Sequence, residues 1–190
     1  DFKKSLDYFL KLKDSEKYIN QIPYYISYIY FVLEEYDLLQ NYDFDNTCYN
    51  YDATILIRAK MYFKLKNYSK AINFFETYKK TNNQFSYMQF YQLGYCYYKL
   101  EDYSGAIENF NKSINSTDYI SQYSDFYLGH SYLSVGKKKE AANAFKSSFE
   151  KFYQLNYTDQ TGEALAEEAY FNFALLCYDL ENSLYNPIEV

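Results

Sequence analysis

One spacing constrains this chain more than any other feature. Ala71-Ile72-Asn73-Phe74-Phe75, Ala106-Ile107-Glu108-Asn109-Phe110 and Ala141-Ala142-Asn143-Ala144-Phe145 begin 35 residues apart. Twelve residues before each leading Ala stands a small residue: Ala59, Gly94 and Gly129. Three residues after each of these comes a Tyr: Tyr62, Tyr97 and Tyr132. A period of this length is the mark of a repeat architecture, in which one supersecondary unit buries its apolar face only against its neighbours.

Each copy reads as two helices. In the middle copy Phe90, Leu93, Gly94 and Tyr97 fall at i, i+3, i+4 and i+7 of residues 85–99, one apolar face. Glu101-Asp102 interrupts the period, and Ala106, Ile107, Phe110 and Ile114 resume it on a second stripe. Gly inside a helix costs about 1 kcal/mol relative to Ala, so Gly94 requires a compensating contact. Close approach of the paired helix supplies one, and Gly94 is expected to face Ala106 as Gly129 faces Ala141. With 5 Gly and 2 Pro, the chain has too few turn residues for an all-β fold. The expected fold class is all-α.

The stretch "FYQLGYCYYKLEDYSGAIENF" resembles the tetratricopeptide (TPR) repeat, W-x2-L-G-x2-Y…A-x3-F. Phe90 stands at the Trp position, followed by Leu93-Gly94, Tyr97, Ala106 and Phe110. The next copy matches at Leu128-Gly129, Tyr132, Ala141 and Phe145, with Asp125 at the Trp position. The preceding copy matches at Ile55, Ala59, Tyr62, Ala71 and Phe75, with Arg58 where Leu is usual. No copy keeps the Pro at the end of the pattern. Weaker copies extend the register outward through Ser5 and Phe9, through Ser27, Tyr30 and Leu39, and through Tyr170, Phe173, Ala174 and Cys177. Asp43 replaces the second-helix Phe in "NYDFDNTCYNYD", which reads as a loop, and an insertion falls around "YQLNYTDQTGE".

The resemblance implies an α-solenoid of stacked antiparallel helix pairs, wound into a right-handed superhelix. Residues 1–190 form one solenoid on this reading. Its units lie at 1–16 (partial), 20–50 (degenerate), 52–84, 85–118, 119–156 and 162–190 (partial). Neither end carries a polar capping unit, and Pro187 in "NPIEV" reads as the first turn of another helix. The expectation is a fragment of a longer array. The Tyr-rich texture of "PYYISYIYF" is similar to the large multi-repeat TPR proteins of Bacteroidetes cell envelopes, which implies a periplasmic or envelope location.

The family places partner contacts at positions 2, 5, 9 and 12 of each first helix, on a concave groove. Carried onto this chain, the resemblance implies Tyr24, Tyr28, Phe63, Met88, Tyr91, Tyr95, Tyr98, Tyr123, Phe126 and His130 as partner-binding residues. Phe171, Leu175 and Tyr178 hold the matching positions of the last unit. It implies a non-catalytic scaffold that binds a protein or peptide. The alternative is a docking or regulatory repeat segment of a larger enzyme whose catalytic domain lies elsewhere.

Chemistry of other kinds finds little support. Net charge is −6 and pI about 4.9, the wrong sign for a phosphate backbone. No apolar stretch reaches the roughly 18–20 residues a membrane span needs. Cys48, Cys96 and Cys177 have neither disulfide-framework nor metal-ligand spacing, and His130 is the only His, read as a groove contact rather than a base. Phosphate-loop, dinucleotide and H-E-x-x-H motifs are absent. Asp43, Asp45, Asn46, Asn50 and Asp52 crowd one loop, but a calcium-loop register puts Cys48 at the Gly position and Thr54 at the Glu position. No enzyme activity, cofactor or metal is expected. Finally, 28 Tyr and 16 Phe accompany no Trp. Tyr and Phe, like Asn, Lys and Ile, have A/T-rich codons, so composition bias competes with selection as the source of the rings. Bias fills every face; a binding groove fills one.

Overall fold

The computed structural model describes residues 1–81, 84–155 and 160–185. Among the described residues there are ten helices and no strand. The chain divides into two compact units, residues 1–84 and 85–190. The first unit holds α1 (Phe2–Leu12), α2 (Ile22–Val32), α3 (Tyr36–Asn41), α4 (Tyr51–Lys64) and α5 (Tyr68–Thr81). The second holds α6 (Tyr87–Lys99), α7 (Tyr103–Ser113), α8 (Tyr119–Ser134), α9 (Lys138–Leu155) and α10 (Gln160–Tyr185). The segment "NPIEV" lies outside the described residues.

A single turn geometry joins the paired helices in both units. Glu34, Lys66, Glu101 and Gly136 have positive φ, of 60°, 56°, 61° and 75°. Each follows the last turn of a first helix, the place where a left-handed residue lets the chain reverse. The hydrogen bonds repeat as well. Asp102 N–H donates to the Tyr97 carbonyl (3.0 Å) and Glu101 N–H to that of Tyr98 (3.1 Å). Asn67 and Lys137 N–H groups reach the Tyr62 and Tyr132 carbonyls in the same way, both at 2.9 Å. The recurring Tyr is therefore the residue whose carbonyl closes the helix. Asp102 then caps α7 by accepting from Gly105 N–H (3.0 Å).

The core follows the repeat. Ala71 and Phe75, Ala106 and Phe110, and Ala141 and Phe145 are fully buried. Gly94 and Gly129 are buried too, and the side chain nearest to each is a ring rather than the alanine expected. A Cβ on Gly94 would meet the Phe110 ring at 2.9 Å, and one on Gly129 would meet the Phe145 ring at 2.7 Å. The Phe one turn beyond the Ala packs its ring against the glycine, so the small residue makes room for that ring. Leu39, at the Ala position of the degenerate copy, is fully buried although α3 has only 6 residues.

Departures from the pattern have local causes. Arg58, where Leu is usual, donates to the Tyr42 carbonyl and stacks on Phe44, 4.4 Å from its centroid. It ties the loop after α3 to α4. Asp45 orders the same loop by accepting from Thr47 N–H (2.8 Å) and Oγ1 (2.6 Å). Asp125, at the Trp position, is buried against Lys151 (2.7 Å) and accepts from Ser147 Oγ (2.6 Å). Lys151 Nζ also donates to the Ile114 carbonyl (3.1 Å), so the polar set links α8 and α9 to the end of α7. Burial pushes the Asp125 carboxyl above its ordinary pKa, with Lys151 and Ser147 pulling the other way. The sequence insertion is partly taken up by α9, which has 18 residues against 11 in α7.

Candidate functional site

In the second unit α8 packs against both α6 and α10, which brings three first helices side by side. Their register positions converge. Tyr95 and Tyr98 of α6 lie 6.4 Å apart by ring centroids, and Tyr91 lies 6.1 Å from Tyr95 and 6.3 Å from Tyr123 of α8. Tyr91, Tyr95, Tyr98, Tyr123, Met88 and His130 are all half-buried. Burial raises the pKa of the Tyr98 hydroxyl and pushes that of Tyr91 well above the usual tyrosine value, so both stay protonated hydrogen-bonding groups.

Phe126 does not belong to this surface. It is 4% exposed and joins the core cluster with Phe145, Ala169 and Leu176, because α10 closes over it. This corrects its assignment as a contact residue. In its place stands Tyr127, one residue on. Its ring lies 5.0 Å from Tyr95, 5.3 Å from Tyr98, 6.3 Å from Tyr91 and 6.1 Å from Phe110. Tyr127 shares a hydrogen bond with Tyr95, and burial raises its pKa as well. It was missed because the family's contact rule skips this register position, held by Gln92 one repeat earlier.

His130 lies between Phe126 (4.7 Å) and Phe145 (5.0 Å), with Nε2 3.5 Å from Glu168 Oε1 on α10. Burial lowers its pKa and Glu168 partly opposes this, so the imidazole is neutral at pH 7. Glu168 stands three residues before Phe171, at the first contact position of the last unit. The sequence reading assigns Phe171, Leu175 and Tyr178 of that unit and leaves this position unassigned. Further along α10, Phe171 and Tyr178 are each 67% exposed and Leu175 is exposed beside them.

Exposure of the large rings is lopsided in this unit. Tyr87, Tyr119, Tyr170, Phe171 and Tyr178 are exposed on α6, α8 and α10 or at their starts, whereas α7 and α9 expose only Tyr153. Exposed positions of α7 and α9 are otherwise polar, including Ser104, Glu108, Asn111, Asn143, Lys146 and Glu150.

The first unit has a separate set. Tyr24 and Tyr28 on α2 lie 6.4 Å apart, and Phe2 meets Tyr28 at 6.1 Å. Tyr28 is exposed. Phe63, on α4, is half-buried and packs edge-on against Tyr68 at 6.4 Å.

Among the described residues the cysteines are free, and Cys177 on α10 is half-buried. Cys96 is fully buried, which pushes its thiol up to about 12 and keeps it protonated. Among the described residues no group of three or more His, Cys, Asp or Glu side chains could hold a metal ion. No described helix is long and apolar enough to cross a membrane.

Hairpins of this kind, repeated on one turn geometry within each unit, define an α-helical repeat protein. Residues 90–117 match the family described as Tetratricopeptide repeat. That match spans one repeat of the chain, and the helix pairs on either side of it give the all-α solenoid fold that such repeats build. The solved structure MamA MSR-1 C2 is similar in fold, with a TM-score of 0.50 at 17% identity over 83% of this chain and 94% of that one. No curated protein matches the sequence.

Proposed function

We propose that this protein is a non-catalytic docking scaffold, which holds an extended or helical segment of a partner protein on the aromatic face of α6, α8 and α10. The observation that carries the reading is the lopsided exposure of rings. Codon bias would scatter tyrosines over all five helices of the unit, yet α7 and α9 expose one large ring between them. Tyr suits a docking face because it combines apolar area with a hydroxyl and has little rotamer entropy to lose. Peptides with apolar anchors are the fitting ligands. Met88, Tyr91, Tyr95, Tyr98, Tyr123, Tyr127, His130, Phe171, Leu175 and Tyr178 form the proposed face. Tyr24, Tyr28 and Phe63 belong to a corresponding face on the first unit.

The test is selection of a displayed random-peptide library on the immobilised protein. Recovered peptides are expected to lose about tenfold or more in affinity on Tyr95→Ala with Tyr98→Ala, as truncation of interface hot spots does. Tyr153→Ala, on the opposite set of helices, is expected to leave binding unchanged. Equal losses from both changes would remove the basis for the reading.

A further inference from the structure

We propose that the side chain taken up beside Tyr95 and Tyr98 is a cation, a Lys or Arg of the docked peptide held between the tyrosine rings and Glu168. The inference rests on the docking reading above and specifies its ligand. An ammonium already occupies the place. Lys99 Nζ lies over the Tyr95 ring at 5.3 Å and over the Tyr98 ring at 5.8 Å, although Lys99 is exposed and free to extend into water. Ring faces carry the negative part of the aromatic quadrupole and attract a cation within about 6 Å of the centroid. Tyr127 adds a third ring, 5.0 Å from Tyr95 and 5.3 Å from Tyr98.

Apart from Lys99, the charge on this face has one sign. Its residues are Met88, Tyr91, Tyr95 and Tyr98 on α6, Tyr123, Tyr127, His130 and Leu133 on α8, and Glu168, Phe171, Leu175 and Tyr178 on α10. Glu168 is the single carboxylate among them, and none is Lys or Arg. Its side chain is 56% exposed, so a ligand can reach it. His130, its hydrogen-bonding neighbour, is neutral at pH 7 and does not offset that charge. That charge is felt at Tyr98, whose hydroxyl it helps to hold protonated. An acidic segment would be repelled here, and a wholly apolar one would desolvate Glu168 without a counter-charge. A basic side chain satisfies both the rings and the carboxylate, with Lys99 acting as its internal stand-in.

The probe is the same displayed-peptide library, selected in parallel on the wild-type protein, Glu168→Gln and Lys99→Met. Wild-type selection should enrich Lys or Arg at one position beside the apolar anchors. Glu168→Gln should erase that enrichment and weaken the basic peptides about tenfold while leaving the thermal midpoint near wild type, since Glu168 is an exposed side chain. Lys99→Met should tighten the same peptides about two- to fivefold by removing the internal competitor. Enriched peptides without a basic position, or with an acidic one, overturn the cation proposal while the docking face stands. Indifference to Glu168→Gln, or weaker binding on Lys99→Met, does the same. Binding that ignores Tyr95→Ala with Tyr98→Ala overturns the docking reading itself.

Discussion

The α2–α3 pair of the first unit and the α8–α9 pair of the second end their first helices identically yet build very different second helices. Glu34 and Gly136 both reverse the chain in the left-handed region, and Tyr30 and Tyr132 both offer the closing carbonyl, each at 2.9 Å. Beyond that point α3 runs for 6 residues and α9 for 18. The register position of the buried Phe145 is filled in the first pair by the exposed Asp43. The turn is a local, backbone-driven device and tolerates substitution. The second helix lasts only where a large apolar side chain at that position can be buried, because isolated helices this short are marginal in water. Below α3, Arg58 and Phe44 hold the chain as a loop instead.

The largest expected effect tests that contrast directly. Phe145→Ala should destabilise by about 4 kcal/mol, through lost burial and the cavity left over Gly129. Asp43→Ala, at the same register position, should stay within about 0.5 kcal/mol. Urea unfolding midpoints measure both, and similar costs would break the comparison.

Next in size is the glycine contact. Gly129→Leu should cost about 3 kcal/mol by overpacking against Phe145, and Gly94→Leu somewhat less, in line with their closest approaches of 2.7 and 2.9 Å. Ala59 already carries a Cβ at the equivalent place, so Ala59→Gly should cost about 1 kcal/mol, mostly as helix propensity. A wild-type melting temperature for both Leu variants would defeat the packing account.

The turns sharpen the comparison at smaller scale. Glu101→Gly and Lys66→Gly should each stabilise by roughly 0.5–1 kcal/mol, relieving the Cβ cost of the left-handed conformation net of backbone entropy. Gly136→Ala should reverse the sign, costing about 1 kcal/mol, since its φ is +75°. Thermal denaturation of the three variants together decides whether one turn geometry serves both units.

A pH effect is the smallest. His130 has a folded-state pKa below its ordinary 6.5 because burial disfavours the charged ring. The fold therefore prefers the neutral form. This contribution to stability is complete above pH 6.5 and is lost as pH falls through the lowered folded value. His130→Gln should flatten the decline in melting temperature between pH 7 and pH 5. A decline as steep as that of the wild type would show that other groups cause it.

Much of the fold was legible beforehand, for reasons visible at particular residues. Helix pairs announce themselves through apolar stripes such as Phe90, Leu93, Gly94 and Tyr97, which depend only on helical geometry. Candidate contact residues were legible in part. Tyr95 and Tyr98 come together as their register suggests, whereas Phe126 sinks into the core because α10 packs over α8, a long-range contact that spacing does not encode. Tyr127 and Glu168 escaped notice for the converse reason. Their importance comes from neighbours on other helices, Tyr95 and Tyr98 for one and His130 for the other.

By itself, the sequence determined the period, the helical class and the positions where chain reversals fall, since these follow from short-range periodicity and a repeated register. It also determined that one small residue in each regular unit had to meet a close neighbour. Only the tertiary structure decided what that neighbour is, the ring of Phe110 or Phe145 and not an alanine. It alone decided that Lys151 neutralises the buried Asp125, that Tyr127 joins the rings of Tyr95 and Tyr98, and that His130 meets Glu168 of α10. Those outcomes depend on which side chains from distant parts of the chain compete for the same buried volume, and packing settles that competition only when the helices are in place.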